Sequence, residues 1–323
     1  MIVVSEQDAR ALVSVEDAIA AVEKTFAAMA RGHARNYPVV REAVGYRDAV
    51  FGVKTGADTQ APLLGLKAGG YWPQNLAQGL GNHQSATLLF DPETGRARAL
   101  VSANYLTGIR TGAAGAIATR HLSRADSCVL GLIGAGAQAE YQLRATLAVR
   151  PIRQVVAWSP SAQRLAAFGA IVHELGLEFV AAADCRRVAE AADVLITVTP
   201  SREPLVRKAW VRPGTHVNAM GADTRGKQEL DPLLVASGAV FVDEAAQALT
   251  IGECQHAFAA GLITADSFRG SIGQLVAGLC EGRRCEAEVT VFDGTGVALQ
   301  DLVVADLAVQ LAQQGGGCTV IDY

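Results

Sequence analysis

The run from Val129 to Ala139 joins an apolar strand to a helix through Gly134 and Gly136. A pyrophosphate can approach the backbone N–H groups at a helix N-terminus only where no side chain blocks the turn, and glycines leave that space. Ala139 stands where a third glycine is usual, and a small residue is accepted there. The segment predicts a dinucleotide site, and a tight turn in another α/β fold is the alternative.

The segment after the next predicted strand lacks the acidic residue that usually binds the ribose hydroxyls. It reads Trp158-Ser159-Pro160-Ser161, and Arg164 follows in the next predicted helix. A missing carboxylate removes the usual discrimination against a 2′-phosphate, but it does not establish NADP. We expect NAD as the cofactor and leave NADP open.

Four cations lie on or beside β-type segments of the first third of the chain: Arg41, Lys54, Lys67 and Arg110. Lys67 lies between apolar and glycine residues, so it belongs either at a solvent-facing strand end or in a cleft. Arg110 begins an Ala-rich helix, where an unpaired buried charge would be costly, so we expect a carboxylate or phosphate partner. Together these cations suit an acidic substrate such as an α-amino or α-imino acid.

Two loops add polar groups. Asn82 and His83 follow a Gly-Leu-Gly turn and could donate hydrogen bonds to a second polar group, and a structural histidine is an equal alternative. Asp223 follows the predicted strand over 216–220, and ligands of open parallel sheets bind beyond the carboxyl ends of strands. We therefore expect Asp223 to relay a proton, with a helix N-cap before residues 227–233 as the alternative.

The elements that must position these residues change character near residue 128. Residues 5–31 predict helix with Ser14 as an N-cap, residues 36–110 an antiparallel meander of short strands, and residues 112–121 a closely packed helix. Apolar strands then alternate with helices, which is typical of a parallel sheet covered on both faces. A final helix over 297–314 is expected to return to the first domain. The fold class is α/β, with domains at 1–119 plus 297–323 and at 120–296.

Composition excludes several classes of protein. The 323 residues carry a net charge of −4 without any block of like charges, so we expect neither nucleic acid nor a membrane as a partner. No signal-peptide pattern and no apolar run of about 20 residues is present, which favours the cytoplasm. Six scattered cysteines and six dispersed histidines predict neither disulfides nor a metal site.

Taken together, these motifs resemble the ornithine cyclodeaminase/mu-crystallin family. The matching stretches, which keep their order over nearly the whole chain, are Gly65-Leu66-Lys67, residues 106–113, residues 134–139, residues 221–231 and residues 291–296. The resemblance implies a Rossmann-type parallel-sheet domain and a discontinuous α+β domain that binds substrate and pairs two subunits. It also implies a homodimeric enzyme that uses a nicotinamide cofactor on small amino or imino acids.

The resemblance also assigns roles to residues. Arg41, Lys67 and Arg110 would hold the substrate carboxylate. Asp223 and Lys67 would be the catalytic residues, with Asp223 as the acid/base. Lys227 and Thr295 would lie at the nicotinamide and substrate. The remaining expected cofactor contacts are Arg110, Thr111, Gly134, Ala135, Gly136, Ala137, Gln138, Trp158, Ser159, Thr199 and Met220, together with Asp223.

Two departures from the ornithine cyclodeaminase pattern concern the substrate. Lys54 stands in a usually apolar region, and Asn82 with His83 replaces a threonine. An added cation would repel the ammonium tail of ornithine and suits a second carboxylate. Residues 69–73, 79–84 and 250–257 are similar to a bacterial branch of the family that reduces iminosuccinate to aspartate. We expect that reaction, with ornithine cyclodeaminase, alanine dehydrogenase, cyclic ketimine reductase or a non-catalytic binding protein as alternatives.

Overall fold

The computed structural model describes residues 1–315 and 319–322, and the chain divides into two compact units. Unit 1 contains Met1–Arg110 and the C-terminal segment from Val297, and unit 2 contains Thr111–Gly296. The units therefore meet at 110/111 and 296/297, whereas the expected domains met at 119/120 and 296/297. The expected and the observed first boundary both lie within one helix, Asn104–Leu122, so no change in the sequence pattern marks the boundary.

Unit 1 is built on a sheet with the order β18-β1-β7-β6-β5-β4-β2, with β3 also paired to β4. Its strands are β1 (Ile2–Val4), β2 (Ala34–Asn36), β3 (Val40–Ala43), β4 (Val50–Asp58), β5 (Leu63–Tyr71), β6 (His83–Phe90), β7 (Ala97–Ser102) and β18 (Thr319–Val320). Strands β4 to β7 form the predicted antiparallel meander. The short β1, which pairs in parallel with β7, was not predicted.

The helices of unit 1 differ from the prediction at the N-terminus. They are α1 (Glu6–Leu12), α2 (Val15–Ala30), α11 (Ala298–Gly315) and the start of α3 (Asn104–Leu122). Two helices replace the single expected one because Ser5 and Ser14 each accept a hydrogen bond from the backbone three residues on. As predicted, the C-terminal helix α11 packs on β4 and β5 of the first unit.

Unit 2 is a parallel sheet with the order β10-β9-β8-β11-β13-β17-β15-β16. Its strands are β8 (Val129–Ile133), β9 (Gln154–Trp158), β10 (Glu178–Ala181), β11 (Val194–Thr197), β13 (His216–Ala219), β15 (Ala239–Val242), β16 (Gly270–Ser271) and β17 (Thr290–Asp293), with β12 (Arg202–Val206) and β14 (Gln228–Leu230) in a separate pair. The strand order reverses between β8 and β11, and dinucleotides bind at such a reversal in Rossmann-type sheets.

The helices of unit 2 alternate with its strands. They are the remainder of α3, α4 (Ala137–Leu147), α5 (Ala162–Glu174), α6 (Cys185–Ala191), α7 (Pro232–Ser237), α8 (Ala245–Ala248), α9 (Gln255–Ala259) and α10 (Ile272–Val276). Helix α3 is Gly- and Ala-rich because α4 approaches it closely. A Cβ on Gly112 would lie 2.6 Å from the Tyr141 carbonyl oxygen, and one on Gly115 would lie 2.5 Å from Gln142 Oε1.

One alternative for Asp223 is wrong. Residues 227–233 do not form a helix, because Gln228–Leu230 is strand β14 and helix α7 begins only at Pro232. The N-cap of α7 is Asp231, whose carboxylate accepts a hydrogen bond from Leu233 N at 2.9 Å. Asp223 is therefore not the N-cap of a helix over residues 227–233.

In the described part of the chain, no helix is long and apolar enough to cross a membrane.

Candidate active site

Gly134 is required by the fold itself. It follows β8 with φ +106°, a conformation that favours glycine, and an added Cβ would lie 2.9 Å from both Thr199 Cγ2 and the Val198 carbonyl oxygen. Its backbone N–H donates to the Trp158 carbonyl at 2.9 Å, which ties the loop to β9. The turn is thus fixed between two neighbouring strands.

Gly136 is different, because the protein leaves the space around it open. It is the N-cap of α4 with φ −90°, makes no side-chain cap, and an added Cβ would meet nothing within 4 Å. The first N–H groups of a helix lack partners within the helix. Gln138 Oε1 is buried and has no hydrogen-bond partner among the described residues. An open cradle at a helix N-terminus fits the pyrophosphate of a dinucleotide.

The segment after β9, where an acidic residue usually binds the ribose, carries serines instead. Ser159 and Ser161 follow β9, and each serine hydroxyl accepts a backbone hydrogen bond, from Ser161 N and from Arg164 N respectively. These bonds cap α5 locally, and no carboxylate lies on this segment. Arg164 is exposed on the first turn of α5.

Asp223 pairs with the other charged residue predicted from the same loop. Lys227 Nζ donates to Asp223 Oδ1 at 2.6 Å and to the Gly221 carbonyl at 3.2 Å. The Thr224 hydroxyl donates to the same Asp223 oxygen at 3.0 Å. The loop therefore holds a carboxylate and an ammonium together beyond the carboxyl end of β13, where a proton can be held and passed on.

Thr295 depends on an aspartate that sequence reasoning missed. Its hydroxyl donates to Asp243 Oδ1 at 2.7 Å, and Gly296 N donates to Asp243 Oδ2 at 2.6 Å. Met220 packs against the same turn, since its sulfur lies 2.6 Å from where a Cβ on Gly294 would be. Asp243 directly follows β15, and that position was the available signal.

Glu229 anchors a further predicted cofactor residue. Its buried carboxylate accepts hydrogen bonds from Thr199 N at 2.6 Å, from Thr199 Oγ1 at 2.7 Å and from Gly221 N at 3.0 Å. Burial raises the pKa of Glu229, and it raises the pKa of the neighbouring Glu253 well above the ordinary value. Sequence reasoning assigned a role to neither carboxyl group.

Unit 1 places four predicted substrate residues on one face of its sheet. Lys54 is directly opposite Lys67, which is directly opposite Thr87, and we call these three the cation row. In the next row, Arg41 pairs with Gly52, and one row further His83 is opposite Tyr71. Side chains alternate between faces along each strand, so Arg41, Lys54, Lys67 and His83 share a face.

Asp301 on α11 joins the cation row to Arg110. Its Oδ1 accepts from Lys67 Nζ at 3.2 Å and from Arg110 Nε at 2.9 Å, and Gln300 Oε1 accepts from Arg110 Nη1 at 3.0 Å. Lys67 is thus buried in mid-strand, and the solvent-facing alternative is wrong. The carboxylate partner expected for Arg110 exists, but the sequence did not reveal that it is Asp301.

The charges of this cluster shift one another's titration. Burial lowers the pKa of Lys67 to about 8, with Asp301 opposing the shift and Arg110 and Lys54 adding to it. Burial alone would raise the pKa of Asp301, but Arg110, Lys67 and Lys54 outweigh it and lower that pKa to about 2. Three cations therefore share one carboxylate that stays ionised at neutral pH.

Three polar atoms in and beside the cation row lack hydrogen-bond partners among the described residues. Thr87 Oγ1, Gln300 Nε2 and Asp301 Oδ2 are buried, and none has a hydrogen-bond partner within residues 1–315 and 319–322. Buried polar groups nearly always have partners, so such atoms call for an explanation. A polar ligand is one explanation, and its carboxylate oxygens would match the donors on Thr87 and Gln300.

Asn82 is committed to its own loop. Its Nδ2 donates to Tyr71 Oη at 3.0 Å, and its Oδ1 accepts from Leu76 N at 3.1 Å. The structure therefore gives Asn82 a role in shaping the turn before β6, whereas His83 lies on the face of the cation row.

Among the described residues, no group of three His, Cys, Asp or Glu side chains could hold a metal ion. Five cysteines are free thiols, and Cys318 is outside the described residues.

The structure thus groups the predicted residues in two sets. Unit 1 carries the cation row and Arg110, and unit 2 carries the glycine loop with Asp223 and Lys227. A Rossmann-type sheet with an open glycine cradle defines a dinucleotide-binding α/β protein.

Comparison with known proteins gives the family. The ornithine cyclodeaminase/mu-crystallin family profile matches residues 1–315, and this chain belongs to that family. The chain is 50% identical to an iminosuccinate reductase of Paracoccus denitrificans, over 98% of both chains. The predicted resemblance and α/β fold are confirmed.

Two solved structures are similar throughout. The crystal structure of the P. denitrificans iminosuccinate reductase in complex with NAD⁺ matches with a TM-score of 0.95 and 49% identity, covering 100% of this chain and 99% of the other. An archaeal alanine dehydrogenase dimer with bound NAD matches with a TM-score of 0.95 and 34% identity, covering 100% and 99%.

Proposed function

We propose that this chain is an NADH-dependent imino acid reductase that converts iminosuccinate to L-aspartate. The observation that carries the proposal is the charge of the cluster in unit 1. Lys54, Lys67 and Arg110 contribute three positive charges and Asp301 one negative charge. With Arg41 on the same face, this part of unit 1 keeps a net positive charge of at least two. A dicarboxylate brings two negative charges, and charge-assisted hydrogen bonds to carboxylates are the strong ones.

The glycine loop supports the choice of cofactor. Gly136 leaves an open cradle at the N-terminus of α4, which suits the pyrophosphate of a nicotinamide dinucleotide. The relative of known structure that is 49% identical binds NAD⁺. Bound NADH would supply the hydride that the imine carbon receives. The residues expected to hold it are those of the Gly134–Gln138 segment, with Thr199 and Thr295.

The side chains divide the remaining work. Arg41, Lys67 and Arg110 hold the α-carboxylate, and Lys54 with His83 receives the second carboxylate. When the imine carbon gains a hydride, the imine nitrogen must gain a proton to become the amine. Asp223, held by Lys227 at 2.6 Å, manages that proton.

The opposite face of the unit 1 sheet supports a homodimer. It carries Val40 and Phe51 on the neighbouring strands β3 and β4, and their side chains are 57% and 43% exposed. Contiguous exposed apolar surface marks interaction sites, and the related alanine dehydrogenase structure is a dimer. We propose that this face pairs two subunits, and that the enzyme works in the cytoplasm, where NADH is available and thiols stay reduced.

A panel of imines tests the proposal. NADH oxidation would be followed with iminosuccinate, the imine of pyruvate and pyrroline-2-carboxylate, with NADPH in parallel. We expect the highest kcat/KM for iminosuccinate with NADH. Efficient turnover of pyrroline-2-carboxylate with none of iminosuccinate would contradict the dicarboxylate assignment. Ammonia release from ornithine without net change in NADH would make the chain a cyclodeaminase instead.

A further inference from the structure

Glu229 connects two loops that follow neighbouring strands. Thr199 follows β11 and Gly221 follows β13, and these strands pair in parallel. Each oxygen of the Glu229 carboxylate accepts from a different loop, Oε1 from Thr199 and Oε2 from Gly221, at 2.6 to 3.0 Å. Glu229 has no exposed surface, so water cannot replace these bonds cheaply.

The sequence of the second loop is adapted to this contact. A Cβ on Gly221 would lie 2.4 Å from Glu229 Oε2 and 2.4 Å from the Thr199 carbonyl oxygen. Real Cβ atoms do not approach other atoms so closely, so only glycine lets the two loops and the carboxylate meet. Gly221 and Glu229, eight positions apart, therefore form one structural unit.

Both loops contact groups that the proposed function uses. Lys227 Nζ, which pairs with Asp223, also donates to the Gly221 carbonyl. Thr199 in turn packs against the glycine loop, since its Cγ2 lies 2.9 Å from the position that a Cβ on Gly134 would take. A shift of either loop would therefore move the Asp223–Lys227 pair or the glycine cradle.

The carboxylate is itself held in place. Glu253 accepts hydrogen bonds from the backbone N–H groups of Glu229 at 2.9 Å and of Leu230 at 2.6 Å. Strand β14 is consequently fixed from one side by Glu253, while the Glu229 side chain reaches to the loops on the other. These hydrogen bonds hold the buried carboxylate and the strand that carries it in a fixed position.

We infer that Glu229 is a positioning residue of the dinucleotide site, which sets the Thr199 loop against the Gly221–Lys227 loop. The inference rests on the proposed binding of NADH. It gives Glu229 no direct contact with the reacting atoms. Its effect is transmitted through Thr199 and Gly221, so it should alter cofactor affinity more than the affinity for the imine.

The test compares three single variants and the Glu229→Gln/Gly221→Ala double variant by NADH titration, thermal unfolding and steady-state kinetics. Glu229→Gln replaces one carboxylate oxygen with an amide NH₂, which would face an N–H donor. Gly221→Ala keeps the carboxylate but forces it away. Glu288→Gln is the matched control, because this carboxylate bonds Arg269 and Arg284 N instead.

We expect the NADH Kd to rise about tenfold in Glu229→Gln and in Gly221→Ala, as the loss of one charged, buried hydrogen bond implies. The KM for NADH should rise with it, while the KM for the imine stays within about twofold. The double variant should lose less than the sum of the two, since both changes break the same contact. Glu288→Gln should bind NADH normally even if it unfolds at a lower temperature.

Unchanged NADH affinity in a folded Glu229→Gln or Gly221→Ala protein would overturn the inference. Equal weakening of NADH binding by Glu288→Gln would also overturn it, because the effect would then follow general destabilisation. If Glu229→Gln does not fold, Gly221→Ala decides. A wild-type protein that binds NADH but reduces no imine would contradict the proposed function. The comparison of NADH affinities among the variants would still test the role of Glu229.

Discussion

The glycine loop of unit 2 and the cation row of unit 1 use different chemical groups. The loop offers backbone N–H groups from residues that are adjacent in the chain. The cluster around the cation row uses side chains from separate segments, and its central contact joins Lys67 to Asp301 across 234 positions. A site made of local backbone is visible in a sequence, whereas a site made of distant side chains shows its charges but not its partners.

The largest expected effect concerns the cation row. Lys67→Met should lower kcat/KM for iminosuccinate about 10³-fold, because it removes a buried cation that holds the α-carboxylate and so positions the imine for reaction. NADH affinity should not change. The control is Lys24→Met, which changes an exposed lysine on α2. Equal activity of the two variants would show that the substrate does not bind at this face of the sheet.

Substitutions at the two glycines of the loop test the unit 2 site in the same way. Gly136→Ala should weaken NADH binding by about tenfold or more while leaving stability within about 0.5 kcal/mol, since the added Cβ meets no protein atom. Gly134→Ala should cost about 2 kcal/mol of stability because of its positive φ and the nearby Thr199. Calorimetric titration and chemical unfolding separate the two. Normal NADH binding by Gly136→Ala would contradict the cradle.

Asp301 links the cation row to pH. If charged Lys67 is required, kcat/KM should fall above about pH 8, where the amine loses its proton. Asp301 favours the charged form, so Asp301→Asn should lower the pKa of Lys67 and move this decline toward lower pH. The variant should also lose about 3 kcal/mol of stability, because the cations lose their carboxylate.

The control for this variant is Asp306→Asn on the same helix, which pairs with Arg98 instead of the cation row. Its pH profile should match the wild type. An unchanged profile in Asp301→Asn would show that Lys67 does not titrate in the activity.

The contribution of Asp301 to stability has a definite sign. Its pKa of about 2 lies below the unfolded value, so this stability is present above about pH 4 and is lost as the pH falls toward 2.

The smallest expected effect concerns the ribose end of the loop. Ser159→Asp places a carboxylate after β9, where it would repel a 2′-phosphate and accept from ribose hydroxyls. We expect the preference for NADH over NADPH to rise about tenfold, as for one charge-assisted contact. Parallel kcat/KM values with the two cofactors measure it, and an unchanged ratio would place the ribose elsewhere.

The sequence predicted the local features well. The alternation of strands and helices after residue 128 is confirmed, because apolar runs between turn residues define strands such as β8, β9 and β10. The need of Arg110 for an anion also followed from burial alone. Asp301 was missed because a single acid in a helix pattern looks solvent-exposed, and only the packing of α11 on the sheet reveals otherwise. Asp243 and Glu229 were missed because their hydrogen-bond partners come from other loops.

The most direct test of the account is the selectivity of Lys54→Met. Lys54 lies opposite Lys67 in the cation row, and we assign it to the second carboxylate. The variant should lose about tenfold or more in kcat/KM for iminosuccinate, while the imine of pyruvate, which lacks that carboxylate, is reduced as well as by the wild type. Equal losses on both substrates would show that Lys54 is only structural and would contradict the dicarboxylate site.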